Sequence, residues 1–563
     1  MKPTIGVFLF ALTAVAASPV REIKLDQAGY LPGAPKVAMV VAAVPASEFS
    51  VHRAADGSVV YKGQLTAPAS DADSQDSMQA ADFTKLADKG RYYLEVPGVG
   101  RSWNFSVGDD AFSRAFYLAM RSFYGQRCGT AVDLGPEFPG YVHPACHLRA
   151  EYHVSSGKTG PAAAVGGWHD AGDYGRYIVN SGITTGTLLW TWEIFGPRVA
   201  KVNLHIPESG NGVPDILNEI RWNLNWMLTM QDADGGVWQK VMSEQFGGFV
   251  MPEDDSLTPF VTGIGKAPYK SSCATADFAA VMAIAGRVYR PYDGAFARKS
   301  LDAARRAFTW LDRYPDVVYR NPPGVNTGEY GDNECGDERL WAAAELWRGT
   351  RDKTYEQYFV NHYAAYRNAI VAAHPPGWAE LAPLAMWTWV LGGAQDAAAN
   401  DIRDVTRKAA DQIVERSARN GYRISLVPRD YVWGSNGVAA NYGVELVVAN
   451  LLHPDARYVN AAMDNLHYLL GRNTFSLSFV TGVGENSSQH PHHRPSAAQG
   501  KAWPGLLCGG PNKDREDAVL KAMPTLPPAK LYADNQNSYA SNENAINWNA
   551  ALVFVLAATL PAN

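Results

Sequence analysis

Residues 216–231 read ILNEIRWNLNWMLTMQ. Apolar side chains stand at Ile216, Leu217, Ile220, Leu224 and Met227, and spacings of three and four put them on one face of a helix. The same period runs through segments that begin at Ala111, Ile183, Thr275, Ser300, Asp337, Tyr358, Asp404, Gly443, Asn460 and Asn547. About eleven helices are therefore expected after Asp110, separated by long loops rich in Gly, Pro and Asn. No short repeat recurs. Such a run fits either an irregular bundle or a closed ring of helical hairpins, with active residues on loops near one mouth.

Residues 20–107 have another texture. KVAMVVAAV at 36–44 and GRYYLEVPGVGRSWNFSVG at 90–108 are short apolar or alternating runs, divided by turn signals such as Asp56-Gly57 and Pro97-Gly98. They predict a small antiparallel sandwich. Ahead of it, Lys2, the apolar run at 5–16 and Ala14-Val15-Ala16 read as a secretory signal peptide over residues 1–16. The run is too short to span a bilayer, so export to the periplasm or beyond is expected, with no membrane anchor.

Composition bounds the partners. The chain has 563 residues, 47% hydrophobic and 19% charged, with a net charge of −6. That suits two or more packed domains and gives no footprint for nucleic acid or an anionic membrane. The 16 Trp and 27 Tyr fill cores, and some are available to line a groove for flat apolar faces such as sugar rings. Five cysteines are too few and too odd a number for a disulfide framework, and Cys273, Cys335 and Cys508 show no readable role.

Four clusters carry chemistry. GGWHDAGDYGRY at 166–177 sets Asp170 and Asp173 three apart behind His169. At the start of a helix such a pair shares one side, and close carboxylates raise the proton affinity of one, so they can hold a water and take its proton. An N-cap with a polar first turn explains the same letters. YADNQNSYASNENAINWNA at 532–550 places Asp534 and Glu543 before an apolar helix. Glu543 there is either a partly desolvated general acid or a first-turn residue behind a Ser541 or Asn542 cap. VTGVGENSSQHPHHRPS at 480–496 offers His490, His492, His493 and Arg494 to a metal, to ligand hydroxyls or to solvent. Cys128, Cys146, His147 and His169 make a Cys₂His₂ set suited to zinc, with a Cys128–Cys146 disulfide as the competing reading.

Together these stretches resemble glycoside hydrolase family 9, the inverting cellulase-type enzymes, in the branch with an N-terminal immunoglobulin-like domain. The Asp-Ala-Gly-Asp segment, the histidine signature at 478–494 and the acidic signature from Tyr532 to Ala550 occur in the family's order, and LDQAGYLPGAPKVAMV and SFYGQRCG are similar to that branch's sandwich and its junction. The resemblance implies an immunoglobulin-like sandwich over 20–107 and an (α/α)6 barrel over 109–563. It implies a catalytic set of Asp173, Glu543, Asp170, Asp534 and His492. Asp173 is the general base, Asp170 helps hold the water, Glu543 is the general acid and Asp534 supports the acidic segment. His492 and Arg494 bind sugar hydroxyls.

It also implies a structural zinc on Cys128, Cys146, His147 and His169, and calcium, for which Asp332, Asp337 and Glu338 in EYGDNECGDERLW are the candidates. Trp433, Trp548, Tyr539 and Trp168 are the candidate stacking surfaces. An inverting pair needs about 6.5–9.5 Å between carboxyls. Asp173 and Glu543, far apart in sequence, can meet that across a cleft, whereas Asp170 and Asp173 are too close. The expected activity is endo-cleavage of β-1,4-glucan, cellulose or mixed-linkage, by a monomer. An exo-acting member, one that prefers glucosamine oligomers, a non-hydrolytic carbohydrate-binding protein and a zinc hydrolase are the alternatives. No separate carbohydrate-binding module or linker is apparent, so attachment to insoluble cellulose is not expected.

Overall fold

The computed structural model describes residues 18–371 and 373–562. The signal-peptide reading of residues 1–16 lies outside the described residues. Strands fill the first part of the chain. Ile23–Lys24, Val37–Val40, Ser77–Asp82 and Ala69–Ser70 form one sheet in that order. Gly29–Tyr30, Phe105–Val107, Gly90–Val96, Glu48–Arg53 and Val59–Gln64 form the second. In Gly90–Val96 the buried residues are Tyr92, Leu94 and Val96, the period of two that one solvated face requires. Those side chains join Ile23, Phe49 and Phe105 in a core of their own.

Twelve long helices follow among the described residues, in two rings. Ile178–Val199 packs on Ser272–Val288, which packs on Gly336–Thr350, which packs on Ala382–Leu391. On its other side Ile178–Val199 packs on Ile546–Thr559, and that on Ser435–Leu452. Outside them, Ala397–Arg419 touches both Ala382–Leu391 and Ser435–Leu452 and completes the circuit. The six outer helices (Ser113–Gly125, Asp215–Thr229, Gly294–Arg313, Lys353–Tyr366, Ala397–Arg419 and Ala456–Leu469) alternate with the inner six along the chain. This is the six-hairpin barrel. Outer helices are amphipathic. Gly294–Arg313 buries Phe296, Ala303, Ala307 and Leu311 and turns its arginines outward.

The helical period finds eleven of the twelve. Ala382–Leu391, sequence APLAMWTWVL, escapes it because it is the shortest of the twelve, and ten residues with nine of them buried give too few turns for a period to show.

The sandwich docks on the barrel through polar contacts. Tyr422 donates to Asp76, Tyr431 to Asp73 and the Gly421 amide to Asp71, while Lys530 pairs with Asp76 at 2.6 Å. At the barrel mouth a five-stranded sheet, ordered Pro161–Ala162, Ala150–Tyr152, Phe260–Thr262, Lys240–Met242 and Arg176–Tyr177, carries the chain from residue 177 into the first inner helix. Among the described residues no helix is long and apolar enough to cross a membrane.

The cysteines correct an expectation. Cys273 and Cys335 form a disulfide between the starts of two adjacent inner helices, a proximity created by the barrel rather than by spacing along the chain. Cys128 and Cys146 are free thiols, so the alternative pairing is absent. The bond closes a loop of 62 residues. Replacing both Cys273 and Cys335 by Ser is expected to lower the free energy of unfolding by about 2–4 kcal/mol in denaturant titrations under oxidising conditions.

Candidate active site

The stretch 166–177 is not the start of a helix. Asp170, Gly172 and Asp173 lie in an irregular turn, and the helix begins at Ile178. The Asp170 amide donates to Gly175 O at 2.8 Å and the Gly175 amide to Asp173 Oδ1 at 3.2 Å, so the turn is closed by its own backbone. Gly172 allows a close crossing. A Cβ there would stand 1.9 Å from His492 O. Trp168 corrects another expectation. It is 0% exposed and its indole donates to buried Glu219 at 2.8 Å, so it is core and no stacking surface.

The two distant signatures converge on this turn. Arg494 donates to Gly172 O from its amide at 3.0 Å and from Nη1 at 2.8 Å. Buried His493 bonds to the Gln126 side chain, which in turn donates to Ala171 O at 2.9 Å and His169 O at 3.2 Å. His492 and Glu543 pair as a β-bridge, and Gly172 N–H donates to Glu543 Oε1 at 3.3 Å. Glu543 sits in extended backbone at the C-terminal end of the four-residue helix Tyr539–Asn542, ahead of Ile546–Thr559, so it is in no helix's first turn.

Asp534 stands back from the cleft. It accepts from Ser488, from the Gln489 and His490 amides and from Asn542, which fixes the loop behind Glu543. It is not among the residues that line the cleft, and its bonds tie the loop at 488–490 to the segment that carries Glu543. The His490 side chain has no part in this network.

Asp170, Asp173, His492, Arg494 and Glu543 line one cleft of about 810 Å³. Trp433, Tyr539 and Trp548 line it too, with Trp433 42% exposed and 5.2 Å from the Tyr539 ring. Tyr177, Tyr330, Trp378, Glu329 and Phe246 complete the wall, and sequence reasoning missed them. Three of them left a signal, Glu329 as the first letter of EYGDNECGDERLW. Tyr177 is the last letter of GGWHDAGDYGRY, and Tyr330 lies in the stretch read for its acids.

Hydrogen bonds and burial give each carboxyl a different proton affinity. Asp170 accepts from Asn180 at 2.7 Å and from Tyr330 O–H at 2.7 Å, yet burial and the neighbouring Asp173 charge push it up to about 7. Burial also raises Asp173, against the pull of Arg494, the Gly175 amide, Tyr177 O–H and Lys240. Glu543 is raised well above its ordinary value, by burial and then by Asp173. His492 Nδ1 is 2.6 Å from Gln536 O, which only accepts, so Nδ1 carries the proton and Nε2 is left as an acceptor. Burial lowers its pKa to about 4 and keeps it neutral. Three Arg494 nitrogens serve Gly172 O and Gly247 O, leaving one N–H on each terminal nitrogen for a ligand.

Cys128, Cys146, His147 and His169 offer ligand atoms that all lie within 4.8 Å of one another. The fit to a metal has an independent sign. His147 Nδ1 is buried without a partner, while its Nε2 faces Asp255 Oδ2 at 3.4 Å, the outer carboxylate a metal-bound imidazole usually keeps.

The family model described as Glycosyl hydrolase family 9 matches residues 112–556, and one described as Cellulase N-terminal ig-like domain matches residues 18–101. Endoglucanase D of Acetivibrio thermocellus is 39% identical to this chain, over 98% of it and 87% of its own length. The xyloglucan-specific endo-beta-1,4-glucanase BoGH9A of Bacteroides ovatus is 34% identical, over 99% of this chain and 96% of its own. A crystal structure of a Zn-binding triple mutant of GH family 9 endoglucanase J30 superposes with a TM-score of 0.89 at 35% identity, covering 95% of this chain and 100% of that one.

A methyl group at position 172 collides with backbone, not with a movable side chain. Gly172→Ala is therefore expected to lower stability by about 1–3 kcal/mol in thermal unfolding. Gly210→Ala, where a Cβ meets nothing within 4 Å but φ is +86°, is the comparison that isolates backbone strain from collision.

Proposed function

Because the chain belongs to glycosyl hydrolase family 9 and is a glycoside hydrolase, we propose that it cuts β-1,4-linked glucan internally, with inversion at the anomeric carbon. The observation that carries the reading is the unequal treatment of two carboxyls in one cleft. Burial raises both, but Asp173 has four partners that favour its charged form, whereas at Glu543 burial and the charges of Asp173 and Asp170 outweigh Arg494 and the Gly172 amide and leave it well above its ordinary value.

Asp173 takes a proton from water as the water oxygen bonds to the anomeric carbon. The glycosidic C–O bond breaks, and Glu543 hands its proton to the departing oxygen. Asp170, fixed by Asn180 and Tyr330, limits the water's approach. His492 Nε2 accepts from a sugar hydroxyl and Arg494 donates to one. Trp433, Tyr539, Trp548 and Trp378 stack on sugar faces along the cleft. Two endo-acting relatives, at 39% and 34% identity, are more similar to this chain than the cellulose 1,4-beta-cellobiosidase of Acetivibrio thermocellus at 30%, which supports endo action over release of a short end unit.

The immunoglobulin-like unit over 20–107 braces the barrel over 109–563, the enzyme acts as a monomer, and the composition of residues 1–16 supports export. Cys128, Cys146, His147 and His169 hold a structural zinc, which when bound supplies rigidity, since four protein ligands leave no place for water. Support comes from the buried, unpartnered His147 Nδ1 and from the Zn-binding relative. Calcium at Asp332, Asp337 and Glu338 is supported by buried carboxylate oxygens without partners on Asp332, Glu338 and Asp277, the last a residue the sequence did not flag. Without a cation, burial and mutual repulsion push Glu338 and Asp277 well above the ordinary range.

With soluble β-glucan, kcat/KM is expected to be bell-shaped in pH. It falls on the acid side as Asp173 gains a proton, at a pH above the ordinary aspartate value, and on the basic side as Glu543 loses one. Asp173→Asn should lose more than about a hundredfold in kcat while still binding the glucan. Proton NMR should show the inverted anomer first, and viscosity should drop ahead of reducing ends; a single small product from the outset would mean exo action.

The acid cluster gives a stability test. Carboxyls that hold protons more tightly when folded stabilise less as pH rises past their unfolded value near 4. Thermal unfolding temperatures should therefore fall as pH rises in EGTA, and millimolar calcium should restore them; a calcium-independent profile removes that site.

A further inference from the structure

We propose that residues 244–255 form a fixed strap that builds a sugar subsite, with Phe246 as its stacking platform; this rests on the glucanase reading above. Phe246 is 49% exposed and lines the same cleft as Asp173 and Glu543. A half-exposed phenylalanine on a free loop would fold into the nearest apolar surface. This one is prevented from doing so by contacts along the whole strap.

At its start, Asn326 N–H donates to Glu244 O at 2.8 Å and Gln245 Nε2 to Gly324 O at 3.0 Å. Next to the phenylalanine, Gly247 O accepts from Arg494 Nη2 at 2.9 Å and Nε at 3.2 Å. Tyr174 O–H donates to Val250 O at 2.5 Å. At the far end Asp255 reaches His147 at 3.4 Å and doubles back, with Oδ1 3.2 Å from where a Cβ on Gly247 would be. A side chain at 247 would push the Asp255 carboxylate back by a few tenths of an ångström. Phe249 turns the other way and meets His492 edge-on at 5.2 Å, while the Arg494 guanidinium lies 5.8 Å from the Phe246 ring. The strap thus holds one ring against the site and presents the other to the cleft.

A phenyl face has no hydrogen-bonding group. Its ligand in a cleft of this kind is the C–H face of a neutral, β-linked pyranose ring, which gains contact and loses little hydration. A charged or branched unit at that place would fit worse. Asp255 is then a positioning residue for the subsite, acting through Gly247.

Calorimetric titration of the full-length Asp173→Asn protein with cellotriose and cellohexaose tests this. Adding Phe246→Ala should weaken cellohexaose binding about tenfold, about 1.4 kcal/mol, with a smaller change for cellotriose, and Phe246→Trp should restore it. Asp255→Asn should weaken binding in the same direction, raise hydrogen exchange over 244–251, and add less than its full effect to Phe246→Ala. Equal affinity with and without the Phe246 ring overturns the subsite. Unchanged exchange in Asp255→Asn overturns the strap's anchoring. If the Asp173→Asn parent binds neither oligosaccharide, the glucanase reading falls, and this inference with it.

Discussion

The carbonyl of Gly172 accepts two hydrogen bonds from Arg494, and its amide donates to Glu543. One residue therefore joins its own turn to two stretches more than three hundred positions further along the chain. The contact needs the backbone of His492 to pass where any side chain at 172 would stand. With that crossing made, Asp173 and Glu543 open on one cleft. The rest of the local structure keeps the crossing in place. Gln126 holds the turn through two carbonyls, His493 holds Gln126, and Asp534 holds the loop that carries Glu543.

Charge in the cleft follows from this crowding. Three carboxyls share a buried site, so they cannot all ionise, and the protein decides which one does through fixed donors. Asp173 receives the Tyr177 hydroxyl, the Gly175 amide and the fields of Arg494 and Lys240. Lys240 is itself fully buried, its ammonium bonded to Asn321, Thr327 and Gly328 O, and burial pulls it down to about 7. The same loop, 321–330, delivers the Tyr330 hydroxyl to Asp170. Lys240, a loop and two tyrosines thus divide the protons, and at Glu543 burial and the charges of Asp173 and Asp170 outweigh Arg494 and the Gly172 amide.

Much of this was legible in the sequence because it is local. The spacing of apolar residues marks eleven of the twelve long helices; Ala382–Leu391 was invisible because ten residues, nine of them buried, are too short a run to show a period. The short motifs marked Asp170, Asp173, Glu543 and His492, and the fold brings all four to one cleft. What was not legible depends on the tertiary meeting of unrelated segments. Nothing in the letters distinguishes Trp168, buried on Glu219, from Trp433, exposed in the cleft. The helical reading of Asp170 and Asp173 failed because spacing cannot tell a helical turn from an irregular one closed by Gly172 and Gly175. Cys273 and Cys335 meet only because the barrel sets two helix starts side by side.

The barrel explains why so much irregular backbone is tolerated at its mouth. Inner helices bury nearly every side chain, so their positions are set by packing that loops cannot disturb. Loops leaving that rigid ring can then be long, provided their polar groups find partners. They find them in one another. The turn at 170–175, the strap at 244–255 and the signature loop at 488–494 exchange bonds through Arg494, which itself lines the cleft, and through Tyr174, the neighbour of Asp173. Such mutual bonding makes the mouth a single unit: moving any of these loops leaves buried donors on the next without acceptors, a cost of about 1–3 kcal/mol for each group. The precision that proton transfer demands is thereby obtained from loops, by making each the other's scaffold.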